Sequence, residues 1–174
     1  MAFIDLVKQR RSIRKYEAKP VEEEKLQAIV KAALMAPSSK RCQPWYFVVV
    51  DDAETIAQFS VCREAGSKFL EGAPAAIVVL ADNTVSDVWT EDASIAAAYM
   101  QLQAEDLGLG TCWVQVRNRM KDESQTTESV VKKLINAPEN LSVECILGVG
   151  YKGEEKSPFD ESRLKLERFV KNKF

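Results

Sequence analysis

The sequence predicts an α+β fold, a central mixed sheet flanked by helices. Three observations carry this. Four short apolar runs have strand composition. The segments between them are long and uneven, unlike the regular alternation of a doubly wound sheet. The clearest of those segments repeats its apolar residues with a helical period. The chain has 174 residues, of which 46% are hydrophobic and 29% charged. That length and balance predict one domain, 1–174, able to bury roughly 70% of its unfolded surface without a disulfide or a metal.

Residues 2–9 read as a short helix with Phe3, Leu6 and Val7 on one side. QRRSIRKY (9–16) reads as extended, and Pro20 closes it. Over 21–35, Leu26, Ile29, Val30, Ala33 and Leu34 fall on one helical face, and Pro37 ends the helix. PSSKRCQP (37–44) is a loop. WYFVVV (45–50) is a continuous apolar run, which predicts a central strand buried on both faces. Two short helices are expected over 53–60 and 62–70. Gly72 and Pro74 then break the chain before AAIVVL (75–80), a second buried strand. A polar loop at 82–90 holds Trp89.

Asp92 reads as the N-cap of a helix over 93–107, with Gly108 at its C-terminal cap position. That helix is Ala-rich and apolar nearly all round in its first half, so it predicts burial on most faces, with a subunit interface as a natural place for it. GTCWVQV (110–116) and ECILGVGY (144–151) are the third and fourth strands, with a helix over 124–136 between them. The charged segment 152–174 spaces out Leu164, Leu166, Phe169 and Val170 and cannot pack on itself. It is expected to be a C-terminal arm that embraces another subunit or lies across its own domain.

Composition removes several function classes. Lys plus Arg is 24 and Asp plus Glu is 26, a net charge of −2, without the basic excess of a general nucleic-acid coat. The chain has no histidine, which excludes Ser-His-Asp and Cys-His catalysis, His-ligated metals and His pH switches. Cys42, Cys62, Cys112 and Cys145 form no CxxC pair. They read as reduced thiols of a cytoplasmic protein, not as a zinc site or a disulfide framework. MAFIDLVKQRR places its charges after its apolar residues, the reverse of a secretory leader. No apolar run approaches the roughly 20 residues of a membrane span.

Three segments carry candidate chemistry. In QRRSIRKY, Arg10, Arg11, Ser12 and Arg14 are strong donors, and an extended chain puts Arg10, Ser12 and Arg14 on one face. Guanidinium forks and a hydroxyl suit a phosphate; a solvated basic turn is the plainer alternative. In APSSKRCQPWYF (36–47), the loop between a helix and a strand is where ligands sit. Gln43 could bond an amide-like ring edge, while Trp45 is expected in the core. In GLGTCWV (108–114), Gly110 could allow close approach of something flat, but the order helix, glycines, strand is wrong for a dinucleotide turn. No carboxylate pair and no metal-ligand spacing stand out. Donors without a catalytic side chain suit a cofactor that carries the chemistry itself.

Taken together, RRSIRKY, APSSKRCQPWYF, the Ala-rich helix ending in LGLGTCWV, and LGVGY resemble the FMN-dependent nitroreductase family along nearly the whole chain. The resemblance implies an intertwined homodimer with FMN in two interface pockets. NAD(P)H would be the reductant, and ping-pong transfer would pass to nitroaromatics, quinones or related small-molecule acceptors. No catalytic side chain is implied, because flavin N5 carries the hydride. By motif, Arg10, Arg11, Ser12 and Arg14 would bind the FMN phosphate, ribityl chain and ring edge. Pro37, Ser38 and Ser39 would reach the flavin of the partner subunit, with Gln43 near the ring. The backbone after Trp113, at Val114 and Gln115, would line the flavin's other side. Arg163 would be the late phosphate-binding arginine.

Two positions depart from the family pattern. Glu161 and Ser162 stand where a basic residue often precedes Arg163. Arg41 stands where a small amide is usual, and would narrow acceptor choice, add a cation near the flavin or point to solvent. The rival readings are a same-fold dehalogenase or flavin-cleaving enzyme, a flavin-storage protein with little turnover, and an RNA-binding protein using the basic loop. The acidic net charge and the lack of a paired aromatic platform argue against the last.

Overall fold

The computed structural model describes residues 2–174. Four strands, β1 (Trp45–Val50), β2 (Ala75–Asp82), β3 (Leu109–Gln115) and β4 (Leu141–Tyr151), form one sheet in the order β1-β2-β4-β3. Each neighbouring pair of strands is antiparallel. Among the described residues, the sheet is mixed only through a parallel bridge of Ser12 to Thr111 on the outer edge of β3. Five helices surround it: α1 (Phe3–Gln9), α2 (Glu23–Leu34), α3 (Ala53–Ser60), α4 (Trp89–Asp106) and α5 (Thr127–Leu134). No helix of the described residues is long and apolar enough to cross a membrane.

The central strands β2 and β4 are covered on both faces, which is why they read as unbroken apolar runs. On one face, Ile29 of α2 and Ala97 and Met100 of α4 pack with Ile77 and Leu147. On the other, Phe59 of α3 and Val131 of α5 pack with Val78, Leu80 and Ile146. Asp52 starts α3 by accepting the Thr55 amide at 2.8 Å, and Thr126 starts α5 by accepting that of Ser129 at 3.0 Å.

Several sequence expectations need correction. WYFVVV is an edge strand, not a central one: Tyr46 is 54% exposed and β1 pairs only with β2. Aromatic and β-branched composition signals a strand but does not say how many neighbours it has. Residues 62–70 are not a helix. They are bends leading into a 3-10 turn at Lys68–Gly72, and Gly66 breaks the chain at φ +87°. The last long helix, α4, begins at Trp89, so Trp89 is helical and Asp92 lies inside the first turn. Gly108 does end that segment as expected, at φ +77°.

Within one chain α4 is buried on one face only. Ala93, Ala96, Ala97, Met100 and Ala104 sit against the sheet, and the alanines let the helix come close. Ile95 and Tyr99 stay exposed on the other face, where Tyr99 borders a groove with Phe3 and Leu6 of α1. The start of the tail is tied to its own domain: the Phe159 amide donates to Lys8 O at 2.8 Å, and Lys8 pairs with Glu161 at 2.9 Å. Further on, Leu166 and Phe169 stand in solvent.

A register slip sits in the middle of the sheet. Val79 faces Cys145 but Leu80 faces Val143, so Glu144 is the extra residue of a β-bulge. Glu144 is 4% exposed. Its Oε1 accepts from Ser94 Oγ at 3.4 Å, and its Oε2 has no partner. Burial pushes this carboxyl above the usual carboxylate range; Gln115, Arg117 and Ser94 oppose that push and Glu91 adds to it. The folded chain therefore binds this proton more tightly than the unfolded chain. The folded state is favoured most below the ordinary range, and stability falls as pH rises from that range through the raised value. Glu144→Gln should stabilise the chain near pH 8 by about 1 kcal/mol, or roughly 2–4 °C in Tm, and should make little difference near pH 4. An equal gain at both pH values, read by thermal denaturation, would show that the charge is not the cause.

Candidate functional site

The basic segment lies on the rim of the sheet because β3 holds it there. Ile13 donates its amide to Thr111 O at 2.9 Å, and Ser12 bridges Thr111. Gly110 makes this approach possible. A Cβ on Gly110 would lie 2.7 Å from Ile13 Cβ, so the glycine admits the chain's own isoleucine, not a ligand. Arg10 is extended, at φ −60° and ψ 113°, and an extended run sends alternate side chains the same way. Burial pushes the Cys112 thiol up, while Arg14, the Ser12 hydroxyl and Arg10 pull against it. Arg11 points away, donating to Ser157 O and, at 3.4 Å, to Pro158 O. It shares a cleft of about 670 Å³ with Lys156 and Arg163.

The charges of this rim are unusually free. Among the described residues, every ion pair uses a lysine and none uses an arginine. The nearest carboxylate, Glu154, accepts the Arg14 backbone amide at 2.7 Å. It is held down to about 2, first by the hydrogen bond from Lys156 and then by that amide. Arg10 and Arg14 form no ion pair among the described residues, and the Arg14 guanidinium lies over the Phe69 ring, 6.0 Å from its centroid. That donor set fits a phosphate, which accepts charge-assisted bonds from several directions.

The second candidate segment sits elsewhere on α4. Ser39 donates its amide to Asp92 Oδ1 at 2.8 Å, and Ser38 Oγ accepts the Gln43 amide at 3.0 Å. Pro37, Arg41 and Gln43 are exposed. Lys40, Arg41 and Gln43 have φ of 49°, 56° and 45°. The two segments do not meet within one chain. The loop touches α4 at Asp92, whereas the rim is level with Gln101, whose Nε2 donates to Thr111 Oγ1 at 3.3 Å. The helix between those positions rises roughly 13 Å.

The third segment, Trp113 to Gln115, is braced along β3. Trp113 Nε1 donates to Gln115 Oε1 at 2.8 Å, and Gln115 Nε2 donates to Arg117 O at 3.1 Å. The Val114 side chain is buried in the core on the α3 and α5 side, leaving its backbone as the part able to line a pocket. Trp45 is in the core, 5% exposed. Arg163 is exposed, near Arg11 and not beside Ser12. Sequence reasoning missed the part played by two residues. Asp92 reads as a cap for its own helix, yet it caps the neighbouring loop. Glu144 carries no sequence signal, because a bulge in the middle of an apolar strand has none.

With this geometry in view, similarity to known proteins is specific. Residues 7–64 and 57–151 match the profile of the Nitroreductase family. The chain is 34% identical to an Archaeoglobus fulgidus protein that bears the provisional name NADH dehydrogenase/NAD(P)H nitroreductase, over 98% of each chain. The structure matches that of an FMN-dependent nitroreductase from Clostridium difficile R20291 with a TM-score of 0.96 and 50% identity, covering 98% of this chain and 99% of that one. An iodotyrosine deiodinase of Thermotoga neapolitana is 27% identical over 92% of this chain and 94% of its own. The profile takes in both the arginine rim and the loop held by Asp92, and the relatives span the whole fold: this chain belongs to the nitroreductase family.

Proposed function

We propose that the chain is an FMN-dependent oxidoreductase that takes a hydride from NAD(P)H and delivers it to a small-molecule acceptor such as a nitroaromatic or a quinone. The observation that carries this reading is a rim built by backbone pairing with Thr111, in which Ser12 stands between Arg10 and Arg14 in the chain and neither arginine forms an ion pair among the described residues. Bound FMN supplies the hydride chemistry. The chain binds, orients and excludes water. Arg10 and Ser12 would take the phosphate, while Arg11 and Arg163 line the neighbouring cleft. Arg14 would supply a positive charge at the ring edge, which favours a reduced, anionic ring. The Val114–Gln115 backbone lines one side. Similarity to an FMN-dependent nitroreductase and to NAD(P)H-named relatives supports the same choice of cofactor and reductant. The buried thiols of Cys62, Cys112 and Cys145, pushed up by burial, suit a cytoplasmic setting.

The separation of the loop from the rim argues for two copies acting together. Pro37, Ser38, Ser39, Arg41 and Gln43 of one copy would complete the pocket formed by the rim of the other. The exposed face of α4, with Ile95 and Tyr99, and the tail residues Leu166 and Phe169 are apolar surface for that partner to cover. The Thermotoga deiodinase keeps a related reductive chemistry open as a second reading.

Arg14→Ala should leave the thermal unfolding of the chain nearly unchanged and weaken FMN binding ten- to a hundredfold, about 1.5–3 kcal/mol. Flavin retention after gel filtration checks this, and full retention would place the clamp elsewhere. For assembly, the informative position is Ala98, which is exposed, not Ala97, which is buried against the chain's own sheet. Ala98→Glu should give a folded monomer poor in FMN by sedimentation. A dimeric, fully loaded Ala98→Glu protein would contradict an interface on this face.

A further inference from the structure

The loop at 38–43 adopts a backbone that its residues resist. Lys40, Arg41 and Gln43 all lie in the left-handed region, where any residue with a Cβ is disfavoured. Such conformations persist only where the surroundings over-determine them. Three holds are internal: the Gln43 amide on Ser38 Oγ, the Arg41 amide on Ser38 O at 3.2 Å and the Cys42 amide on Ser39 O at 2.9 Å. The other comes from outside the loop. Asp92 Oδ1 accepts the Ser39 amide at 2.8 Å, and Asp92 Oδ2 accepts the Ser86 hydroxyl at 3.1 Å.

Asp92 caps nothing in its own helix. It is 2% exposed, on a helix whose buried face is otherwise mostly alanine. Among the described residues, no lysine or arginine forms an ion pair with it. A buried carboxylate is costly unless it is hydrogen-bonded. The first turn of α4 makes an anion tolerable there but does not call for one that is buried. Both oxygens are used to fasten chain that lies outside the helix.

We propose that Asp92 is a positioning residue. By fastening Ser39 and Ser86 it holds the 38–43 loop in its left-handed shape, so that Arg41 and Gln43 are presented to the acceptor in the flavin pocket of a second copy, and it thereby sets acceptor affinity. The loop half of this inference stands on geometry alone. The acceptor half rests on the function proposed above.

The two halves are tested separately, the loop by proteolysis and the acceptor by kinetics of the FMN-loaded protein. Lys40 and Arg41 are exposed within one chain and are themselves trypsin sites, so cleavage after them in the FMN-free monomer given by Ala98→Glu, mapped by mass spectrometry, reads loop order without any cofactor or partner. Asp92→Ala should speed cleavage there ten- to a hundredfold, the factor expected when a charge-assisted hydrogen bond is lost, with other sites unchanged. Asp92→Asn should restore slow cleavage, because its amide oxygen still accepts the Ser39 amide and its nitrogen donates to Ser86. In steady-state kinetics Asp92→Ala should raise KM for a benzoquinone about tenfold with kcat within about threefold and FMN retained, and Asp92→Asn should reverse most of that rise. If Asp92→Ala does not fold, Ser86→Ala removes one of the two fastenings and should show a smaller effect in the same direction. Unchanged cleavage at Lys40 and Arg41 overturns the clamp. Faster cleavage with an unchanged KM overturns the link to the acceptor. A parent protein that holds no FMN defeats the functional reading, while the proteolysis result still decides the clamp.

Discussion

Ile13 occupies the place that a side chain on Gly110 would take. The isoleucine is 2% exposed, and its amide bonds to the neighbouring Thr111 carbonyl. This contact fixes the position of the whole candidate site. It locks residues 10–14 in an extended form against β3, and an extended chain sends Arg10, Ser12 and Arg14 the same way while Arg11 turns toward the tail. Burial of the isoleucine contributes on the order of 2 kcal/mol, enough to hold a short segment that has no helix or sheet of its own. The cluster of like charges on that segment is unfavourable by itself, since among the described residues no carboxylate forms an ion pair with its guanidinium groups. A bound anion would remove that repulsion, and so the rim is both costly to build and suited to binding.

A second constraint is α4. Its alanine face lies close on the sheet, which makes it a fixed ruler between the rim and the loop held by Asp92. Because the helix sets that spacing, one chain does not bring both halves of the proposed pocket together. Local packing on this ruler and assembly into two copies are therefore linked. The face that leaves Ile95 and Tyr99 in solvent is the reverse side of the same helix. Burial of Glu144 and Asp92 beneath and beside α4 places two carboxyl groups near its first turns, one with an unpartnered oxygen and one fully bonded.

Much of this was legible in the sequence because it depends on local rules. The apolar period of α2, the strand runs of β2 and β4 and Gly108 at the end of α4 all follow from residue spacing. What was not legible depends on long-range partners. WYFVVV looks central because its composition is that of a buried strand, and only the strand order shows it at an edge. Asp92 has the right type and nearly the right place for an N-cap, but the group it caps is 53 positions away in sequence. The bulge at Glu144 depends on the slip between β2 and β4. The role of Gly110 was half visible: close approach was expected, but the visitor is Ile13.

The central claim is that the arginine rim holds a flavin that exchanges hydride with a reduced nicotinamide. An anaerobic titration of the purified protein with NADH or NADPH, followed by visible absorption, tests it most directly. The account predicts a yellow protein that carries FMN at one equivalent per chain and is bleached by about one equivalent of reductant, since one hydride reduces one flavin. A colourless protein that releases no flavin on denaturation, and takes up none when FMN is added, would contradict it.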